Sequence, residues 1–578
     1  MAATSTVVHN LSVAGSSHVH VGPNIYHSEN PCLRDLRITD PRHDKARIEA
    51  DKGGLLHDVY RWVLENAEFL RWRQDTQNTL LWVRGDPGKG KTMLLCGMIN
   101  ELEKESSLVS YFFCQATDAR INSATAVLRG LIYVLVDRQP SLLVHVQKRY
   151  DHAGAGLFKD VNAWVAVREI FTDIMHDPAL QSAYLVIDAL DECQTGRTEL
   201  LSLIASGYAA PHVKWVISSR NWPDIEDKLA SNSQKVPLSL ELNAESVSAA
   251  VQLYIEDKVR KLSAQKQYSS DTTAQVKHYL SSNARDTFLW VALVCRSLED
   301  VLPFKALKTL LSFPPGLDAL YDRMMQTICE MKDADDVTIC LQILSVTSTV
   351  YRPLTLEELA SLIHHSPQGY EHDHHLESYV RLCGSFLAVR EGIVHLVHQS
   401  ANDFLRSPSF NTNFAKIFPR ATGDIHHTLF AKSLDLMSQA LRCDMYHLSH
   451  AGTAVDDVPP PSPDPLAAAR YACFYWVDHL VDALVVDEHK SNNTSKCKDR
   501  LQDGLQDGLQ DANRVYTFLS AKYLHWLEAL SLVRAMPEGV LAIERLYGLL
   551  QVCLHHSKDP HNIAYTNQQF SVQRKAHS

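Results

Sequence analysis

The sequence predicts an α/β unit at its centre, a parallel sheet with helices on both faces. A helical domain, a winged-helix-like domain and a helical C-terminal region follow it. Three observations predict this. Between residues 79 and 245, the short apolar runs Leu80–Val83, Val109–Phe113, Tyr184–Ile187 and Val213–Ile217 are separated by helical patterns. Such runs belong to strands buried on both faces, as in parallel sheets. From 246 to 330 amphipathic helical patterns recur without strand alternation. Farther on, Phe386–Val389 and Ile393–Val397 flank Arg390-Glu391-Gly392, a strand–turn–strand signal that follows helices.

Composition bounds the reading. A chain of 578 residues allows roughly four structural units, and 45% hydrophobic with 21% charged residues is a globular balance. The net charge of −11 argues against a nucleic-acid partner held by a broad basic face. The 12 cysteines include no C-x-x-C pair, which argues against a disulfide scaffold or zinc ribbon. The longest apolar run, Phe288–Cys295, is under half of the ~18 residues a membrane helix needs. No basic stretch followed by an apolar block opens the chain, so no secretory signal is expected. A soluble, cytoplasmic protein without a stable membrane anchor is the expectation.

In chain order, Met1–Ser28 contains no Lys, Arg, Asp or Glu. Leu11/Val13 and Val19/Val21 alternate with polar residues around Gly15, so this is a disordered leader or a segment able to pair in cross-β fashion. The run Leu80–Val83 leads into Gly85-Asp86-Pro87-Gly88-Lys89-Gly90-Lys91-Thr92, which fits G-x-x-x-x-G-K-[ST]. Helical spacing of Leu94, Leu95, Met98, Ile99 and Leu102 follows. Strand, glycine loop and helix together make a phosphate site: backbone N–H groups close around the phosphates at a helix N-terminus. Lys91 reaches the β- and γ-phosphates and the Thr92 hydroxyl ligates Mg²⁺. The central unit is therefore expected to be an α/β P-loop NTPase.

Val109–Phe113 intervenes before the partner motif, in the manner of ATPases with an extra central strand. Val161, Trp164, Val165, Phe171 and Ile174 keep helical spacing. Tyr184–Ile187 then ends in Asp188-Ala189-Leu190-Asp191-Glu192, placing carboxylates at a strand's C-terminal end, where ligands bind in open α/β sheets. Asp188 would hold the Mg²⁺ shell, and Asp191 or Glu192 would orient the attacking water. Val213–Ile217 runs into Ser218-Ser219-Arg220, where Arg220 is a γ-phosphate sensor or a solvated strand-end arginine. The absence of N-K-x-D favours adenine over guanine.

Thr355 and Glu358 form a capping box opening the helix 356–363. His364, His365, His372, His374 and His375 lie in a polar loop without a second ligand set, a solvated loop rather than a zinc site. Past 411 the chain is helical, interrupted by Pro459–Pro463, and the Leu-Gln-Asp-Gly repeat from Leu501 to Asp511 reads as a surface linker.

At these motifs the chain resembles the NACHT family of signal-transducing ATPases, specifically the fungal NACHT proteins of vegetative (heterokaryon) incompatibility. Asp188-Ala189-Leu190-Asp191-Glu192 has the family's small residue and double acid. Gly53-Gly54-Leu55-Leu56, Tyr111–Gln115, Ser218–Pro223, Phe288–Val291, Phe313–Leu317 and His398-Gln399-Ser400 look like the fungal subgroup. The resemblance covers roughly 30–550 and implies an ATP/ADP-operated switch with slow hydrolysis, a self-oligomer in the ATP state and an effector recruited through the N-terminal segment. It also implies that His398 touches the β-phosphate of bound ADP; a core histidine is the alternative. Two departures are the lack of WD-type repeats at the C-terminal side and of a large effector domain before the ATPase. Thr287-Phe288-Leu289-Trp290 stands, without proline, where plant-type relatives carry a Gly-Leu-Pro stretch near adenine. The expected division is a leader over 1–45, the nucleotide-binding domain over 46–245, the helical domain over 246–330, the winged-helix-like domain over 331–410 and the helical C-terminal region over 411–578. The rival functions are a P-loop motor and a truncated relative that binds nucleotide without signalling.

Overall fold

The computed structural model describes residues 30–105, 108–205, 212–230, 235–363, 373–407, 422–448, 450, 453–455, 458–485 and 494–556. The uncharged leader, His364, His365 and His372 lie outside them; His374 and His375 fall in the helix Asp373–Leu382.

Five parallel strands form the central sheet: β1 (Leu80–Arg84), β2 (Val109–Phe113), β3 (Ala183–Asp188), β4 (Val213–Ser219) and β5 (Lys235–Ser239), in the order β2-β3-β4-β1-β5. Alternation along the strands divides the side chains between two cores. Leu81 and Val83 enter one apolar cluster with Val186 and Val216. Leu80 and Trp82 enter the other with Leu185, Ile187, Trp215 and Ile217. Both faces are thus covered, which is why nearly every strand position is apolar.

The strand between β1 and β3 is β4, with Val83 beside Ser218 and Ile187 beside Ile217. This corrects the expected place of Val109–Phe113, which lies at the sheet edge beyond β3. Spatial order depends on where each crossover helix packs, and the order of runs along the chain does not reveal that. Val161 precedes the helix Ala163–Met175 and is 79% exposed, whereas Val167, Ile170, Phe171 and Ile174 supply that helix's buried face.

Residues 31–45, grouped with the leader by the sequence reading, belong instead to the folded α/β unit. The helix Pro31–Leu36 brings Cys32 and Leu36 into the second core, and the helix Pro41–Asp51 buries Pro41 and Lys45. The buried Arg129 donates to the carbonyls of Leu36 at 3.1 Å and Asp35 at 2.7 Å.

Helices Ala244–Lys266, Ser270–Asn283, Phe288–Glu299, Ala306–Leu310 and Leu317–Cys329 follow and extend the first core. After the helix Ala334–Thr349 comes a small antiparallel sheet of β6 (Leu354–Thr355), β7 (Leu387–Arg390) and β8 (Ile393–Leu396), ordered β6-β8-β7. Its entry is fixed by the Thr355–Glu358 capping box on the helix Leu356–Leu362. Glu358, 1% exposed, also takes a two-pronged ion pair from Arg352 at 2.6 and 2.8 Å. A buried carboxylate requires such partners.

Helices Thr422–Ala440, Arg470–Val485, Thr494–Leu532 and Met536–His556 build a third apolar core around Trp476 and Trp526. The Leu-Gln-Asp-Gly repeat lies within Thr494–Leu532 rather than in a linker. Its leucines recur every four residues, the helical period, and each glycine costs only about 1 kcal/mol against alanine. Among the described residues no helix is long and apolar enough to cross a membrane.

Candidate nucleotide site

The glycine loop joins β1 to the helix Lys91–Glu105. Gly88 and Gly90 have φ of 78° and 85°, which side-chain-bearing residues rarely adopt. A Cβ would meet Thr287 Cγ2 at 2.8 Å from Gly88 and Phe288 Cδ2 at 2.9 Å from Gly90. The loop is thus shaped by its own dihedrals and by the start of the helix Phe288–Glu299, and Lys89 Nζ donates to the Arg285 carbonyl at 3.2 Å. Asp86 N donates to Glu241 Oε1 at 2.7 Å, tying the loop to the end of β5. Pro87, Thr92 and Lys91 line the cavity above it. The Lys91 ammonium folds onto the carbonyls of Gly85 at 2.5 Å and Asp86 at 3.0 Å. Burial lowers its pKa, and Asp191 and Asp188 oppose that.

Across the cavity, β3 ends in the buried Asp188. Its Oδ1 accepts from Ser218 Oγ at 2.6 Å, and the Thr92 hydroxyl hydrogen-bonds the same carboxylate. Burial raises the pKa of Asp188, countered by Ser218, Thr92 and Lys91. Ser218 Oγ also accepts from Ala189 N at 2.8 Å. Ala189 itself is left-handed, φ 54° and ψ 51°, a conformation that turns the chain sharply after Asp188 and costs on the order of 1–2 kcal/mol. Residues in such sparsely populated regions cluster at functional sites.

The two remaining acids have different surroundings. Asp191 is occupied by Arg220: Oδ1 accepts the Arg220 backbone N–H at 3.1 Å, and Oδ2 lies 3.1 Å from Nε. Glu192 Oε2 accepts only the Ala116 N–H, at 3.0 Å, among the described residues. Burial and then Asp191 push the Glu192 pKa up to about 8. Arg220 is no solvated strand end: its side chain is 15% exposed, and its second partner is Asp403 at 2.5 Å. Asp403 belongs to the helix Gln399–Leu405, after the small sheet.

His398 caps that helix. Its Nδ1 accepts from Ser400 N at 3.1 Å and lies 2.8 Å from Ser400 Oγ, which meets Tyr321 Oη at 2.9 Å. A backbone N–H can only donate, so in the neutral ring the proton sits on Nε2. Burial first, then Lys52, Arg220 and Lys91, hold the His398 pKa well below the usual histidine value. The ring lines the same cavity as the glycine loop.

The structure thus gathers Pro87–Thr92, Asp188, Asp191, Glu192, Arg220 and His398 around one cavity. Sequence reasoning met Phe288 in the stretch Thr287–Trp290, but it missed the rest of the cavity's apolar lining, Leu55, Leu56, Val59, Val247 and Tyr254. Gly53-Gly54-Leu55-Leu56 stood out only as a resemblance, with nothing local to say where it packs. Ser218, which orients Asp188, had a faint signal, a serine ending an apolar strand. The donor set suits a nucleotide with Mg²⁺: hard oxygens from Thr92 and Asp188 for the ion, amides and Lys91 for phosphates, an apolar end for a base.

Residues 58–220 match the family described as Nephrocystin 3, N-terminal. Among solved structures, the Walker-type ATPase paby2304 of Pyrococcus abyssi is similar at a TM-score of 0.29 and 13% identity, covering 65% of this chain and 100% of that one. C. elegans PCH-2 is similar at a TM-score of 0.24 and 12% identity, covering 51% and 72%. Scores this low carry no weight for function. The chain is 49% identical over 535 residues, 90% of its length, to the vegetative incompatibility protein HET-E-1 of Podospora anserina, of which it spans 38%. As its motifs indicated, the chain is a relative of the fungal vegetative incompatibility proteins.

Proposed function

We propose that the chain is an ATP/ADP-binding switch of the NACHT type with slow ATP hydrolysis, acting in fungal non-self recognition or regulated cell death. One observation carries this reading. A single cavity is lined by the glycine loop, the acid end of β3, the helix Phe288–Glu299 and His398 from beyond the small sheet. A nucleotide there would touch residues of the helical segment before β1, the glycine loop, the ends of β3 and β4, the helix Phe288–Glu299 and His398, so its phosphate state bears on each of these.

In this reading the loop amides and Lys91 bind the phosphates, and Thr92 and Asp188 hold Mg²⁺. The bound ion supplies positive charge to the phosphate oxygens. Glu192, with Oε1 uncommitted among the described residues, orients water; Asp191 positions Arg220, which faces the γ-phosphate once released from Asp403. His398 offers Nε2–H to the β-phosphate of ADP. The small sheet with its helices serves as the winged-helix-like domain over 331–410, between the helical domain of 246–330 and the C-terminal region of 411–578. Oligomerisation in ATP and an effector recruited by the N-terminal segment complete the proposal.

Mass spectrometry of nucleotide co-purifying with the full chain, joined to a turnover assay, tests it. Retained ADP and turnover of ~10⁻² s⁻¹ or slower, the range of intrinsic switch GTPases, are expected. Turnover of tens per second with no retained nucleotide would indicate a motor instead.

A further inference from the structure

One cation reaches the phosphate end of the cavity from outside the central sheet. Lys52 caps the helix Pro41–Asp51, and its side chain lines the cavity together with Lys91, Asp188, Glu192, Arg220 and His398. The other cations there are engaged, Lys91 by the Gly85 and Asp86 carbonyls and Arg220 by Asp191 and Asp403. Among the described residues the Lys52 ammonium has no hydrogen-bond or ion-pair partner. A half-buried amine that faces a cavity in that condition gains from a ligand anion.

The two lysines enter on different elements. Lys91 opens the helix that follows the glycine loop, whereas Lys52 ends the helix Pro41–Asp51, whose Asp51 pairs with Arg390 of the small sheet. Lys52 therefore reaches the cavity beside the part of the chain that also supplies His398, rather than from the loop that takes the inner phosphates. Resting on the nucleotide-site reading above, we propose that Lys52 contacts the terminal phosphate of a bound nucleoside triphosphate and, beside Arg220, lets the cavity distinguish tri- from diphosphate.

The position also connects the contact to the small sheet. Asp51, the adjoining residue, pairs with Arg390 at the end of β7 at 2.6 Å. Drawing Lys52 toward a terminal phosphate pulls on this pair, and so on the hairpin that leads into His398.

Calorimetry on the full chain with Mg²⁺, using ADP and a non-hydrolysable ATP analogue, tests the assignment. Lys52→Met should weaken the triphosphate by about tenfold or more while leaving ADP within about twofold. Lys52→Arg should keep the parental discrimination, which a merely structural role would not require. Equal losses for both ligands, or unchanged triphosphate affinity, overturn the proposal. If Lys52→Met does not fold, Lys52→Gln carries the same comparison. A parental chain that binds neither ligand overturns the nucleotide reading itself and this inference with it. Parental binding that Lys91→Ala abolishes for both ligands upholds that reading and leaves Lys52 judged on discrimination alone.

Discussion

Glu192 sits in a short turn, Leu190–Glu192, with Oε2 on the Ala116 N–H at 3.0 Å and the Asp191 carboxylate beside it. Burial and that neighbour move its pKa from 4.5 to about 8. The nucleotide-free folded chain keeps a proton there that the unfolded chain releases above about pH 4.5. Stability must then fall as pH rises from about 4.5 to about 8 and level off above. A shift of three to four units at 1.36 kcal/mol each sets a ceiling of about 5 kcal/mol. Water entry and relaxation reduce it, so we expect a loss of roughly 2–4 kcal/mol across that window. Glu192→Gln preserves the shape and the acceptor for Ala116 but cannot ionise. In a chelator and without nucleotide, its stability should lack this pH dependence, and at pH 8 the transition of the α/β unit should lie several degrees above the parent's, at about 2–4 °C per kcal/mol for a unit of roughly 150–250 residues. The same variant should bind ATP and hydrolyse it ~10²-fold or more slowly, because the water-orienting carboxylate is gone. Thermal melts from pH 5 to 9 with single-turnover assays read both effects. Superimposable melting profiles of variant and parent would refute the buried, protonated carboxyl, and parental hydrolysis by the variant would return the role to Asp191.

Lys91→Ala should weaken ATP binding by at least ~10-fold, about 1.4 kcal/mol, by calorimetry; unchanged affinity would defeat the site. His398→Ala should speed release of a fluorescent ADP analogue and increase the oligomer fraction in ATP, because a ligand shifts a conformational equilibrium only through differential contacts; equal off-rates would make His398 a core histidine and helix cap alone. A peptide of residues 5–27, which lie outside the described structure, should form thioflavin-positive fibrils with a ~4.7 Å reflection. Val13→Lys with Val19→Lys should abolish them by stacking like charges along the fibre; a peptide that stays monomeric at high concentration would leave the disordered leader.

The phosphate end of the site was legible because its chemistry is local. Gly85–Thr92 must carry glycines where φ is positive and a lysine at the helix start, and the apolar run before Asp188 must end where β3 does. The Thr355–Glu358 cap and the Arg390–Gly392 turn were readable for the same reason, since each is decided within a few residues. The sequence by itself therefore determined β1 to β4, the glycine loop, the acids and the hairpin, whereas β5, which contains a proline, and the two-residue β6 carried no such signal. Tertiary structure alone decided that β4 rather than β2 separates β1 from β3, that Arg220 bridges Asp191 to Asp403, and that Lys52 and Leu55 reach the cavity. Those facts join residues tens to hundreds of positions apart. Side-chain packing between whole elements sets such distances, and it leaves no periodicity or spacing in the chain from which they could be read.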